Sequence, residues 1–65
     1  MRSLSEQISS VKREINMREG VYPRWVSQNK MNQAKADYEI ECMKSVLRTL
    51  EIRLEEDNAQ ITMQL

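Results

Sequence analysis

The sequence predicts an all-α fold, an antiparallel hairpin of two long helices that pack like a coiled coil. Apolar residues recur at alternating intervals of four and three on both sides of a central stretch, which is the spacing of a coiled-coil seam. The chain's single glycine and single proline, Gly20 and Pro23, both lie in that stretch. A chain of 65 residues makes one small domain at most, so residues 1–65 are expected to form one hairpin domain.

The first helix is expected over about residues 3–28. Ser3 and Glu6 have the spacing of a capping box, in which each side chain satisfies an unpaired backbone donor at the start of a helix. Seam positions follow at Leu4, Ile8, Val11, Ile15, Arg18, Tyr22 and Trp25.

Gly20 and Pro23 leave two alternatives for the end of this helix. It stops near Glu19 and restarts with Pro23 as a first helical residue, or it continues with a kink over 20–23. The seam spacing runs unbroken through Tyr22 and Trp25, which favours the kinked helix.

A turn is expected at about residues 28–32. Asn29 tolerates the left-handed conformation common at a helix C-terminus, and Asn32 is a good N-cap for a second helix. So short a connection makes the two helices antiparallel neighbours.

The second helix is expected over about residues 32–58, with seam positions at Ala36, Ile40, Met43, Leu47, Leu50, Leu54, Asp57 and Ile61. The antiparallel register pairs Ile15 with Leu47 and Val11 with Leu50. The predicted core consists of Ile8, Val11, Ile15, Tyr22, Trp25, Ile40, Met43, Leu47, Leu50 and Leu54. Acidic residues at 55–57 disfavour a helix C-terminus there, so a frayed tail is expected over 59–65 unless Ile61, Met63 and Leu65 dock on another chain.

A second apolar row flanks the seam and widens the apolar face of both helices. Its members are Met17, Val21, Cys42, Val46 and Ile52. A face this wide suits a four-helix bundle better than an isolated hairpin, so the sequence predicts a homodimer of two hairpins.

Composition excludes several classes of function. The chain has one Cys and no His, so we expect no disulfide, no zinc site and no cofactor. Ten basic and ten acidic residues give no net charge, which argues against nucleic-acid binding. No apolar run is long enough to span a membrane and no signal peptide is recognisable, so we expect a cytoplasmic protein.

Three residues are candidates for either a structural or a functional role. Cys42 lies on an apolar face and has no His to activate it, so a buried, structural thiol is expected. Tyr22 and Trp25 are expected to close the turn end of the hairpin, with a binding hot spot as the alternative.

The function predicted from these features is that of a non-enzymatic protein–protein interaction module without a small-molecule substrate. The candidate partner-binding residues are Met17, Val21, Tyr22, Arg24, Trp25, Cys42 and Val46. The alternative is a nucleic-acid-binding accessory factor that uses basic residues near the turn, namely Arg13, Arg18, Arg24 and Lys30.

The chain also resembles small uncharacterised proteins of phage and prophage genomes over about residues 14–52. The residues that carry the resemblance are Val21-Tyr22-Pro23-Arg24-Trp25-Val26, Met31, Gln33-Ala34-Lys35-Ala36-Asp37, Glu39-Ile40 and Met43. The resemblance implies a phage or prophage origin, and so the cytoplasm of a bacterial host. It is the basis for expecting a modulator of a host or phage protein.

Overall fold

Two antiparallel helices make up the computed structural model, which describes residues 2–63 and the side chains of residues 2–59. Helix α1 spans Leu4–Ser27 and helix α2 spans Gln33–Met63. They pack against each other along their lengths in a rod of 55 × 18 × 17 Å. The predicted helical hairpin is therefore confirmed, while its pairing into a four-helix bundle stays a prediction.

Helix α1 begins with the capping box that the sequence predicts. The backbone N–H of Glu6 donates to Oγ of Ser3 at 3.1 Å, and the backbone N–H of Ser3 donates to Oε1 of Glu6 at 3.4 Å. These two bonds satisfy donors that have no partner within the helix, and they place the first seam residue, Leu4, directly inside it.

The helix runs without interruption through Gly20 and Pro23, so the break considered near Glu19 is not observed, while the kink expected over 20–23 stays a prediction. Pro23 lacks the N–H that would donate to the carbonyl of Glu19, so one helical hydrogen bond is missing there. Gly20 has no positive φ, and a Cβ added to it would meet nothing within 4 Å. Its backbone conformation therefore does not require glycine.

The turn between the helices has the geometry that Asn29 and Asn32 predict. Asn29 adopts a left-handed conformation with φ 59°, and its N–H donates to the carbonyl of Val26 at 3.1 Å. The N–H of Lys30 donates to the carbonyl of Trp25 at 2.9 Å, which completes a Schellman motif. Asn32 then caps α2, since its Oδ1 accepts the N–H of Lys35 at 2.7 Å.

One ion pair between the helices reports the register of the hairpin. Nζ of Lys44 lies 3.3 Å from Oε2 of Glu19. Val11 and Leu50, which the sequence places opposite each other, line the same open groove. Both observations agree with the predicted antiparallel register.

The core between the helices is thin. Ile8, Ile15 and Ala36 are buried, and Ala36 is the most enclosed, at 2 % exposure. All but one of the other predicted core residues are half-buried, namely Val11, Tyr22, Ile40, Met43, Leu47, Leu50 and Leu54. The exception is Trp25, which is 40 % exposed, so its assignment to the core was wrong. It lies in the last turn of α1.

Helix α2 extends five residues beyond the expected end at 58, so the frayed tail expected over 59–65 is not observed as far as residue 63, and its last two residues lie outside the described residues. The acidic residues at 55–57 lie more than a turn before the observed end, where the helix dipole opposes them less. Asp57 is also held by Arg53, whose Nε lies 3.3 Å from its Oδ1. The predicted docking of Ile61, Met63 and Leu65 involves side chains outside the described residues.

Candidate interaction surface

Four residues of the second apolar row form one patch on a single side of the hairpin. Met17 is 54 % exposed and Val46 is 46 % exposed, while Cys42 is exposed and Val21 is half-buried. The register of the helices places Met17 level with Val46, and Val21 level with Cys42. We call these four residues the interaction patch.

Ile52 is not part of this patch, although the sequence groups it with the same row. Its side chain is 43 % exposed. It lies six residues after Val46 and therefore about 120° around the helix from it. Because two residues of one row must be three, four or seven positions apart, the grouping of Ile52 with the other four was wrong.

Cys42 is exposed, which contradicts the prediction of a buried thiol. A single neighbouring helix covers only the seam of α2, and Cys42 lies beside the seam rather than in it. Tyr38, one turn earlier, is 62 % exposed and was not identified from the sequence. A hydrogen bond with the Cys42 side chain raises the pKa of the Tyr38 hydroxyl above its ordinary value.

At the turn end, the patch continues into an open groove of about 260 Å³. It is lined by Met17, Arg18, Val21, Tyr22 and Trp25. The rings of Tyr22 and Trp25 lie 5.8 Å apart between centroids at an angle of 31°. This contact holds Trp25 against the helix surface and leaves its outer face accessible, in the manner of the aromatic anchors common in protein interfaces.

Toward the open end of the hairpin lies a larger groove of about 420 Å³. Its apolar lining comes from Val11, Val46 and Leu50, and its polar rim comes from Arg2, Glu6, Gln7 and Ser10. Since Val46 belongs to both this groove and the interaction patch, the two grooves and the patch are on the same side of the molecule.

An ion pair on α1 separates the two grooves. Nη1 of Arg18 donates to Oε2 of Glu14 at 2.6 Å and to the carbonyl of the same residue at 3.2 Å. The hydrogen bond to Glu14 raises the pKa of Arg18 further above its ordinary value. Arg18 occupies a seam position, and its guanidinium, which is always charged at physiological pH, is paired there with Glu14 of its own helix.

Arg24, the remaining candidate residue, is exposed and lies one turn beyond Val21, at the edge of the patch. The basic residues of the alternative nucleic-acid site do not converge. Arg13 donates to Ser10 at 3.2 Å, Arg18 is paired with Glu14, and Arg13 and Arg24 are about 16 Å apart along α1. Within the described residues, the contacts of these basic side chains do not form a nucleic-acid site.

The side chains described do not group into a metal site: three or more Cys, Asp or Glu residues nowhere come together. Within the same part of the chain, neither helix combines the length and the apolar character needed to cross a membrane. Comparison with protein-family models, with curated proteins and with solved structures found no match to this chain.

Proposed function

We propose that this chain is a non-enzymatic protein–protein interaction module and that the interaction patch is its binding surface. The observation that carries the proposal is the exposure of Met17 and Val46 at the centre of one continuous apolar side. Soluble monomers rarely expose contiguous apolar surface beyond a few hundred Å². Trp25 extends this surface at the turn end, and Arg24 provides a charge at its edge.

A non-enzymatic role is supported by the surroundings of the single thiol. The chain has no His that would act as a general base beside Cys42. Beside this thiol lies the hydroxyl of Tyr38, which is protonated at neutral pH and whose pKa the hydrogen bond with Cys42 raises further, so it does not act as a general base there.

The resemblance to phage and prophage proteins supports a narrower form of the proposal. In that form the module acts in the cytoplasm of a bacterial host and binds a host or phage protein. The resemblance suggests the origin of the chain, whereas the patch suggests the mode of action, so the two parts can fail separately.

A pair of substitutions on α2 tests the binding surface. Val46→Glu places a charge in the interaction patch, and Ser45→Glu places the same charge on the exposed outer side of the helix. Both variants are first checked for helicity by circular dichroism. Association is then measured as molecular mass in solution and as capture of proteins from a bacterial lysate.

We expect Val46→Glu to lose association in at least one of these assays, because a carboxylate would have to be desolvated in the interface. Ser45→Glu should behave as the unmodified chain. Equal association of both variants, or no association of the unmodified chain in either assay, would overturn the proposed function.

A further inference from the structure

We propose that the partner bound at the interaction patch is a second copy of this chain. This inference rests on the proposed function. The two hairpins pack face to face about a two-fold axis parallel to their long axes, so that both turns lie at the same end. Helix α1 of each copy then packs on α2 of the other, and the four helices form one bundle.

The exposed area of one hairpin exceeds that of a typical monomer by about the area that a stable dimer interface covers on each partner. The chain exposes 5317 Å². A folded monomer of this mass ordinarily exposes about 4,300 Å², so roughly 1,000 Å² is in excess. A stable interface between two proteins covers about 800 Å² on each partner. A partner of equal size and shape, laid along the patch side, would cover the excess.

The positions of the patch residues along the long axis of the hairpin are compatible with this two-fold axis. Met17 is level with Val46 within one chain, and Val21 is level with Cys42. A two-fold axis along the hairpin keeps these levels unchanged and brings α1 over α2 of the second copy. Met17 therefore meets Val46 of the second copy, and Val21 meets Cys42, so that apolar residues contact apolar residues throughout the centre.

Charges at the edge of the patch favour the same arrangement. One turn beyond Val21, Arg24 comes level with Glu39 of the second copy, and the contact occurs twice by symmetry. Glu39 is half-buried, and its Oε1 lies 3.0 Å from Nζ of Lys35, so Arg24 of the second copy would add a second cation beside this carboxylate. At the other end Glu14 comes level with Thr49, and Ser10 with Arg53. No like charges are opposed.

The competing two-fold axis runs across the hairpin and puts the turns at opposite ends. It packs α2 on α2, and centring it on Cys42 and Val46 brings Lys35 level with Arg53 of the second copy. That repulsion also occurs twice, at the two ends of the interface. Like charges directly opposed across an interface are unfavourable, but the same axis also brings Arg24 level with Glu14, so the charge exchange below decides between the two axes.

A charge exchange distinguishes the two axes. Arg24→Glu and Glu39→Arg are made singly and together, and the dimer dissociation constant of each is measured by sedimentation equilibrium. Each single change should weaken the dimer roughly tenfold, because it opposes like charges at two symmetric positions. The double variant should return to within about threefold of the unmodified chain. Arg48→Glu, an equal charge change on an exposed position outside the patch, is the control and should have little effect.

Three outcomes would overturn the inference, and they separate it from the proposed function. Rescue of Arg24→Glu by Glu14→Arg but not by Glu39→Arg would establish the transverse axis, because that axis pairs Arg24 with Glu14. A monomeric mass near 7.7 kDa at about 100 µM would remove the second copy while leaving capture of another protein as the test of function. A dimer that Val46→Glu does not weaken would overturn both, since the patch would not be the interface.

Discussion

Glu19 and Lys44 form an ion pair between the two helices, with Nζ of Lys44 3.3 Å from Oε2 of Glu19. The pair lies on the opposite side of the hairpin from the interaction patch, and its partners are about half exposed. Its main consequence is geometric, because it marks the register from which the levels of the patch residues follow.

We expect this pair to contribute little to the free energy of unfolding. A double-mutant cycle with Glu19→Ala and Lys44→Ala should give a coupling energy of about 0.5 kcal/mol, since exposed ion pairs are screened by water. The coupling should disappear at about 1 M salt, where the Debye length is roughly 3 Å. A coupling energy of zero at low salt would contradict this prediction.

The thin core predicts very different costs for the same side-chain truncation at two isoleucines. Ile15 is buried at the seam, and Ile15→Ala should lower the free energy of unfolding by about 2–4 kcal/mol. Ile52 is exposed outside the patch, and Ile52→Ala should change it by less than about 0.5 kcal/mol. Chemical denaturation of both variants measures the difference, and equal costs would refute the register.

A substitution at Gly20 is expected to raise the free energy of unfolding rather than lower it. Its backbone is helical, it is exposed, and nothing lies within 4 Å of an added Cβ. Gly20→Ala should therefore raise the free energy of unfolding by about 0.5–1 kcal/mol, because alanine loses less backbone entropy on entering a helix. If the substitution destabilises the protein instead, α1 bends at Gly20 in a way that the continuous helix does not show.

The cap of α2 is tested by Asn32→Ala. Its side chain accepts the N–H of Lys35 at 2.7 Å, and losing that bond should cost about 1 kcal/mol. Asn32→Asp keeps an acceptor at the same place and should retain most of the stability. Equal losses for the two variants in thermal unfolding would show that the cap does not contribute.

Much of the fold could be predicted because its determinants are local. The interval of four and three places Ile15 and Leu47 on facing seams, and the turn chemistry of Asn29 and Asn32 is specific to a helix end and a helix start. Pro23 was the harder case. Its ring alone suggests a break, yet the seam continues through it, and the structure follows the seam.

What the sequence could not show is how much of each apolar face a neighbour covers. Cys42 and Trp25 belong to apolar rows, but one partner helix covers only the seam, so both remain exposed. Ala36 is the reverse case, a small residue that is enclosed because it allows the helices to approach near the turn. Tyr38 lies one turn before Cys42, and its 62 % exposure was not anticipated from the spacing of the apolar residues.

We propose that a single hairpin leaves its apolar side incompletely covered and therefore folds together with a second copy. The most direct test is the midpoint of thermal unfolding, measured by circular dichroism over a roughly hundredfold range of protein concentration. If folding is coupled to association, the melting temperature rises steadily as the concentration rises. A melting temperature that stays constant over the whole range would contradict the claim, because a hairpin that folds alone does not depend on concentration.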